Sequence, residues 1–226
     1  MSGRISTSTL LACGIAGPVI FIAVFLLEGL TRSGYDPMRQ YVSLLSLGDG
    51  GWLQVANFVV TGVLIVAAGV GLGRSWSELG RWVPRLVALV GIALVWAGVF
   101  VTDPAQGYPG GAPAGLPTDA SWHAGLHYLG ALVVFVGLPV AMVVAARSSA
   151  MREAMPGWSI YCLTSAGLMF GLWIATFLVA GPNGVSQVAG LLQRIAIVAG
   201  FQWLVGISAI ELSRLRKAAL PVHAAT

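Results

Sequence analysis

Charge is what this sequence has least of. Its 226 residues hold 12 Lys and Arg and 8 Asp and Glu, 9% of the chain. A soluble domain carries roughly 25%, so a water-coated globular protein is excluded. Lysine occurs once, as Lys217, against 11 arginines. The net charge of +4 is spread thinly, with no basic cluster beyond Arg214, Arg216 and Lys217. That excludes a nucleic-acid-binding face. Cysteine is nearly absent too. Cys13 and Cys162 cannot form a disulfide framework, and both read as inert packing residues. Leu10-Leu11-Ala12-Cys13 loosely resembles a lipoprotein cleavage box, but the long apolar stretch follows the cysteine, so no cleaved signal is expected.

What the sequence has is apolar length. It is 57% hydrophobic, with a mean hydropathy of +0.86. A spanning helix needs about 20 apolar residues. Six stretches qualify, at about 9–30, 53–73, 83–102, 122–145, 158–180 and 190–212. Uninterrupted apolar runs exclude a β-barrel. The expected class is therefore all-α, a polytopic membrane protein of six transmembrane helices in one domain, with 213–226 as a short tail. Trp52, Trp82, Trp122 and Trp158 stand at span ends, where an aromatic belt would lie. Pro18 and Pro139 fall inside spans, and no internal repeat is visible.

Orientation follows from the basic residues. Arg4, Arg74, Arg81, Arg85, Arg147, Arg152, Arg214, Arg216 and Lys217 share one side. Arg32, Arg39 and Arg194 lie on the other. Both termini are expected in the cytoplasm of a cell whose plasma membrane the chain crosses. The 1–2, 3–4 and 5–6 connections then face outward.

Two outer connections carry signals. Asp36-Pro37 reads as a helix start, Asp as N-cap and Pro at the first helical position. An amphipathic outer helix between spans 1 and 2 is expected. It would set Asp36, Arg39, Ser43 and Ser46 on one face and Met38, Val42 and Leu45 on the other. The second connection, 103–121, is rich in Pro and Gly and reads as a flap without regular structure.

The polar residues gather at this outer side. Asp119, His123 and His127 are spaced four apart, which on a helix puts them on one face. Two imidazoles so placed can hold a divalent metal such as zinc, with Asp119 orienting His123 or ligating. Haem is disfavoured, because two histidines on one face cannot bind opposite sides of one iron. Asp103, His123, His127 and Glu28 form the candidate catalytic set, supplying acid and base. Arg194 and Glu28 are expected to face the bundle interior, since charge at membrane depth needs a partner or water. Arg194, Arg39, Ser43, Asp36 and Gln193 form the candidate substrate-binding set, Arg194 as an anion clamp.

Gly17-Pro18, Gly34-Tyr35-Asp36-Pro37, Ser43 and Gly48-x-Gly50-Gly51-Trp52-Leu53-Gln54 resemble a bacterial and archaeal membrane family. It is catalogued as domain of unknown function 998. Thr102-Asp103-Pro104, His123 with His127, and Arg194 are similar to later features of its pattern. The resemblance covers about residues 9–212. It implies a six-span membrane protein and no particular activity. Ser43, Asp103, His123 and His127 also echo the zinc site of the alkaline ceramidase and adiponectin receptor hydrolases. Those have seven spans and a third histidine, whereas His223 here stands in the tail.

The expected function is an outward-facing polar pocket for an amphiphilic substrate, and an enzyme is favoured over a binder because acid, base and cation converge on one face. It would be a membrane-embedded enzyme acting on a lipid-like or isoprenoid-like molecule, by metal-assisted hydrolysis or by metal-free acid–base isomerisation or cyclisation. The alternatives are a non-catalytic binder or transporter of an anionic lipid headgroup and a structural accessory subunit.

Overall fold

A computed structural model describes residues 5–75, 80–179 and 185–218. Arg4, His223 and the last part of the tail lie outside the described residues. Six long apolar helices are present: α1 Thr7–Thr31, α2 Gly51–Ser75, α3 Trp82–Val99, α4 Trp122–Ala146, α6 Trp158–Leu178 and α7 Ala189–Ala218. A short α5, Ser149–Ala154, joins α4 to α6. Among the described residues no strand forms, and the one bridge pairs Ala105 with Tyr108.

The helices start where side chains can take their free N–H groups. Ser6, Ser121 and Ser148 each accept from an amide three residues on. At α7, Ser186 accepts from the amides of Val188 and Ala189. The next two amides, Gly190 and Leu191, donate to the carbonyls of Arg39 and Met38 in the α1–α2 connection. Gly190 is required there. A β-carbon on it would stand 2.7 Å from the Pro37 oxygen and 2.7 Å from the Gln40 nitrogen.

Each long helix packs mainly against its neighbours in a closed ring, in the order α1, α2, α3, α4, α6, α7 and back to α1. The α2–α3 seam is the most extensive. Gly62 and Gly91 face each other, and a β-carbon on either would sit 2.6 Å from the other's carbonyl oxygen. Small residues let membrane helices approach in this way. Polar side chains stitch α1 to α2, where Asn57 donates to the Phe21 oxygen (3.2 Å) and Thr61 to the Gly17 oxygen (3.3 Å). Large apolar side chains such as Leu27, Leu30, Ile160 and Leu178 point outward, as a bilayer requires.

Three of the four tryptophans at the span ends are on the surface. Trp52, Trp82 and Trp122 are exposed. Trp158 is only 2% exposed, and its indole N–H donates to the Ala145 carbonyl at the end of α4 (2.8 Å). It closes the α4–α6 connection and does not anchor the chain in the interface.

Both long connections lie at one end of the ring, the capped end. The expected amphipathic helix does not form there. Residues 36–40 make a turn, Tyr41 is extended, and Val42–Ser46 is a short 3-10 helix. The groups an α-helix would pair internally are taken by distant partners. Tyr41 N–H donates to Gln106, Val42 N–H to Gln193, and the carbonyls of Pro37 and Gln40 accept from Arg194. The 103–121 segment is likewise docked. Ala105, Gln106 and Tyr108 are buried, and Gln40 donates back to the Gln106 carbonyl (3.0 Å).

Candidate functional site

Inside the ring, below the cap, is a cavity of about 390 Å³. Ligand sites are commonly of this size. Its deep wall is apolar, from Phe21, Phe58, Leu94, Val134, Met169 and Phe201. Its roof is the cap, through Tyr41, Val42, Ser43, Leu44, Thr102 and Ala105. On one side, Phe135 of α4 stacks on Trp173 of α6, ring centres 5.3 Å apart. Toward the cap the lining along this seam is half-exposed: Tyr128 of α4, Phe177 of α6 and Leu116 of the loop. Each of these three both lines the cavity and is exposed at the surface. Among the described residues, no Asp, Glu, Lys or Arg lines it.

Of the expected catalytic set, only His127 reaches this cavity. The ring is 3% exposed. Its Nδ1 lies 2.8 Å from the Ala97 oxygen and 2.9 Å from the Phe100 oxygen, carbonyls left free as α3 ends. His123, one turn earlier, is not part of the lining, and its side chain is 42% exposed. Its Nδ1 meets the Val101 oxygen at 2.9 Å, and its Nε2 is 3.9 Å from Asp103 Oδ1. Asp103 takes the Ser121 amide and hydroxyl, both at 2.7 Å, so it ties the end of α3 to the start of α4. Burial pushes the Asp103 carboxyl up, but the Ser121 hydrogen bonds and nearby His123 outweigh it and hold it below the ordinary value.

Asp119 lies in the loop before α4 and is exposed, so the four-residue spacing to His123 is not a helical one. Among the described residues, no three His, Cys, Asp or Glu side chains come together to hold a metal ion.

Glu28 and Arg194 are both buried, at 4% and 6%, as their depth demands. They do not pair with each other. Glu28 pairs with Arg32 one turn on, which also donates to the carbonyls of Leu47, Asp49 and Gly50. Arg194 donates to the carbonyls of Pro37, Gln40 and Gly190 and to the Tyr35 hydroxyl. Its charge is spread over neutral oxygens and the faces of Phe25 and Tyr35. Each arginine grips one half of the α1–α2 connection.

Of the expected binding set, Ser43 and Gln193 line the cavity and Arg194, Arg39 and Asp36 do not. Asp36 Oδ1 caps the turn by accepting from the Met38 amide (2.9 Å), while Arg39 holds a buried, unpaired Nε. Sequence reasoning missed Gln106, Tyr35, Arg32 and Thr102. Gln106 is the one non-glycine with positive φ, 53°, among the described residues. Only its position in a Pro- and Gly-rich stretch could have marked it.

These features define a class: a membrane protein of six apolar helices ringed around an uncharged cavity. The chain belongs to the family described as protein of unknown function (DUF998), whose model matches residues 15–210. It matches neither a curated protein nor a solved structure.

Proposed function

We propose that this protein binds an amphiphilic molecule, its hydrocarbon part in the ring cavity and its polar end beneath the cap. The observation that carries this reading is the cavity itself. It is apolar at depth and offers His127, Ser43, Thr102 and Gln193 toward the cap. An opening between α4 and α6, beside the exposed lining residues Tyr128 and Phe177, would admit a ligand from the bilayer. The excess of Arg and Lys at the other end supports a capped end that faces outward, with both termini cytoplasmic in a plasma membrane.

Binding is favoured over hydrolysis because Asp103, His123 and Glu28 serve the scaffold and lie away from the cavity lining. A neutral ligand is favoured over an anionic one because the donors of Arg194 are already engaged by the cap.

The test is native mass spectrometry of gently solubilised protein, beside Ala131→Phe, which fills the cavity from α4. Wild type is expected to retain a lipid-like adduct or to take up 1-hexadecanol, and the variant to do neither. Equal uptake of 1-hexadecanol by both, or by neither, would overturn the reading.

A further inference from the structure

The cavity holds one buried polar atom whose hydrogen-bonding role is fixed by its surroundings. His127 Nδ1 lies between two carbonyl oxygens, Ala97 at 2.8 Å and Phe100 at 2.9 Å. Carbonyl oxygens only accept, so Nδ1 carries a proton. The second nitrogen, Nε2, has no partner among the described residues, yet it is not sealed among protein atoms. Since the ring lines the cavity, that space is where Nε2 opens. No carboxylate of the described residues lines the cavity to balance an imidazolium, and an unbalanced buried charge is costly. The ring that fits is neutral, with its lone pair on Nε2.

An acceptor fixed in an apolar space selects for a donor. A ligand that brings none leaves the lone pair desolvated and unpaired. The same cavity supplies the complementary half. The hydroxyls of Ser43 and Thr102 make no hydrogen bond to the described residues, and Gln193 has its Oε1 on the Val42 amide (2.8 Å) while its Nε2 is unengaged. These groups can donate to an oxygen whose own proton goes to His127.

We propose that the cavity selects an uncharged amphiphile headed by a hydroxyl, a long-chain or isoprenoid-type alcohol, with His127 Nε2 accepting its hydrogen bond. This rests on the cavity reading above and adds the chemistry of the head. An ester, ether or ketone of the same length would fill the same space without satisfying Nε2. A free amine would bring a charge the cavity does not balance.

The experiment compares 1-hexadecanol with hexadecyl methyl ether, which keeps the oxygen and the chain and loses the donor. Binding to the full chain in nanodiscs is read by native mass spectrometry. The variant is His127→Asn. Its amide nitrogen can occupy the place of Nδ1 and keep the bonds to Ala97 and Phe100, while its oxygen, the one acceptor it carries, falls at the place of Cδ2 and does not reach that of Nε2. Wild type is expected to prefer the alcohol about tenfold, the worth of one hydrogen bond. In His127→Asn the preference should vanish, the two probes binding alike. In protein labelled with nitrogen-15 histidine, the unprotonated Nε2 resonance should move when the alcohol is added and stay when the ether is. Equal binding of the two probes to wild type would overturn the inference and leave the cavity reading standing. A preference that survives in His127→Asn would do the same. Failure of both probes to bind would overturn both.

Discussion

The guanidinium of Arg194 donates to the phenol oxygen of Tyr35, and the Tyr35 hydroxyl in turn donates between the carbonyls of Gln40 and Tyr41, 3.1 and 3.0 Å away. One residue from the first turns of α7 thereby sets the path of a connection more than 150 positions earlier. The same guanidinium reaches the Pro37 and Gln40 carbonyls directly, at 2.7 and 2.9 Å. The roof of the cavity hangs from this relay.

Arg194→Lys should therefore fail to substitute. An ammonium is a point charge, whereas these acceptors are met by a planar fork. Loss of about 2–4 kcal/mol is expected, from two or more charge-assisted bonds. A fall in Tm in detergent checks this, with exposed Arg147→Lys as the silent control.

Tyr35 should make the protein sensitive to alkali. Burial pushes its phenol up to about 12 from 10.0, although the Arg194 charge and hydrogen bond pull the other way. A folded value above the unfolded one means the contribution is complete below pH 10 and is lost as pH rises toward 12. Unfolding followed across that window should steepen in wild type and flatten in Tyr35→Phe. At neutral pH that variant should cost about 1–3 kcal/mol, since Arg194 loses an acceptor.

Asp103 should act at the acid end. Its folded carboxyl titrates below the ordinary value of 3.8. Its contribution is thus full above that value and lost as pH falls through the folded one. Asp103→Asn should lower Tm at neutral pH, by about 1–3 kcal/mol in stability, through the weakened link to Ser121. Its acid unfolding curve should be the shallower of the two.

The α2–α3 seam should be intolerant of a single methyl group. Gly62→Ala would set a carbon 2.6 Å from the Gly91 oxygen, and the helices must part. A loss of about 1–3 kcal/mol is expected. Gly167→Ala in α6 meets nothing within 4 Å and should be neutral, or stabilising by up to about 1 kcal/mol from helix propensity. Thermal denaturation of the two side by side checks the contrast.

Orientation can be read with thiols. In a Cys13→Ser background, Cys162 is fully buried. Gly110→Cys at the exposed cap should react with an impermeant maleimide on intact cells. Arg147→Cys at the other end should react only after the membrane is opened. The reverse pattern would invert the proposed topology.

The spans were legible because apolar length is a local property. Each expected span agrees with its helix to within a few residues, save at the ends of α3 and α7. The α1–α2 connection was not legible, for a physical reason. Asp36-Pro37 does start a turn, and Asp36 does cap it. Whether the turn continues as a helix depends on who takes the backbone groups that follow. Gln106, Gln193 and Arg194 take them, from 65 to 157 positions away. No window of sequence contains that competition. The candidate site shows the same split. Residue chemistry drew attention to His127, Ser43 and Gln193, which do line the cavity. It also grouped Asp103, Asp119, Glu28 and Arg194 with them, because nearness to one membrane face cannot tell a cavity wall from a scaffold.

Arg32 and Arg194 hold the cap chiefly by its main chain: Leu47, Asp49 and Gly50 for one, Pro37 and Gln40 for the other. A main-chain oxygen is the same whatever residue bears it. The cap can therefore exchange many of its side chains while keeping its shape. Descendants of one ancestral chain could retune the rim and roof of the cavity, and so diversify what they accept, without rebuilding the two clamps that hold the roof in place.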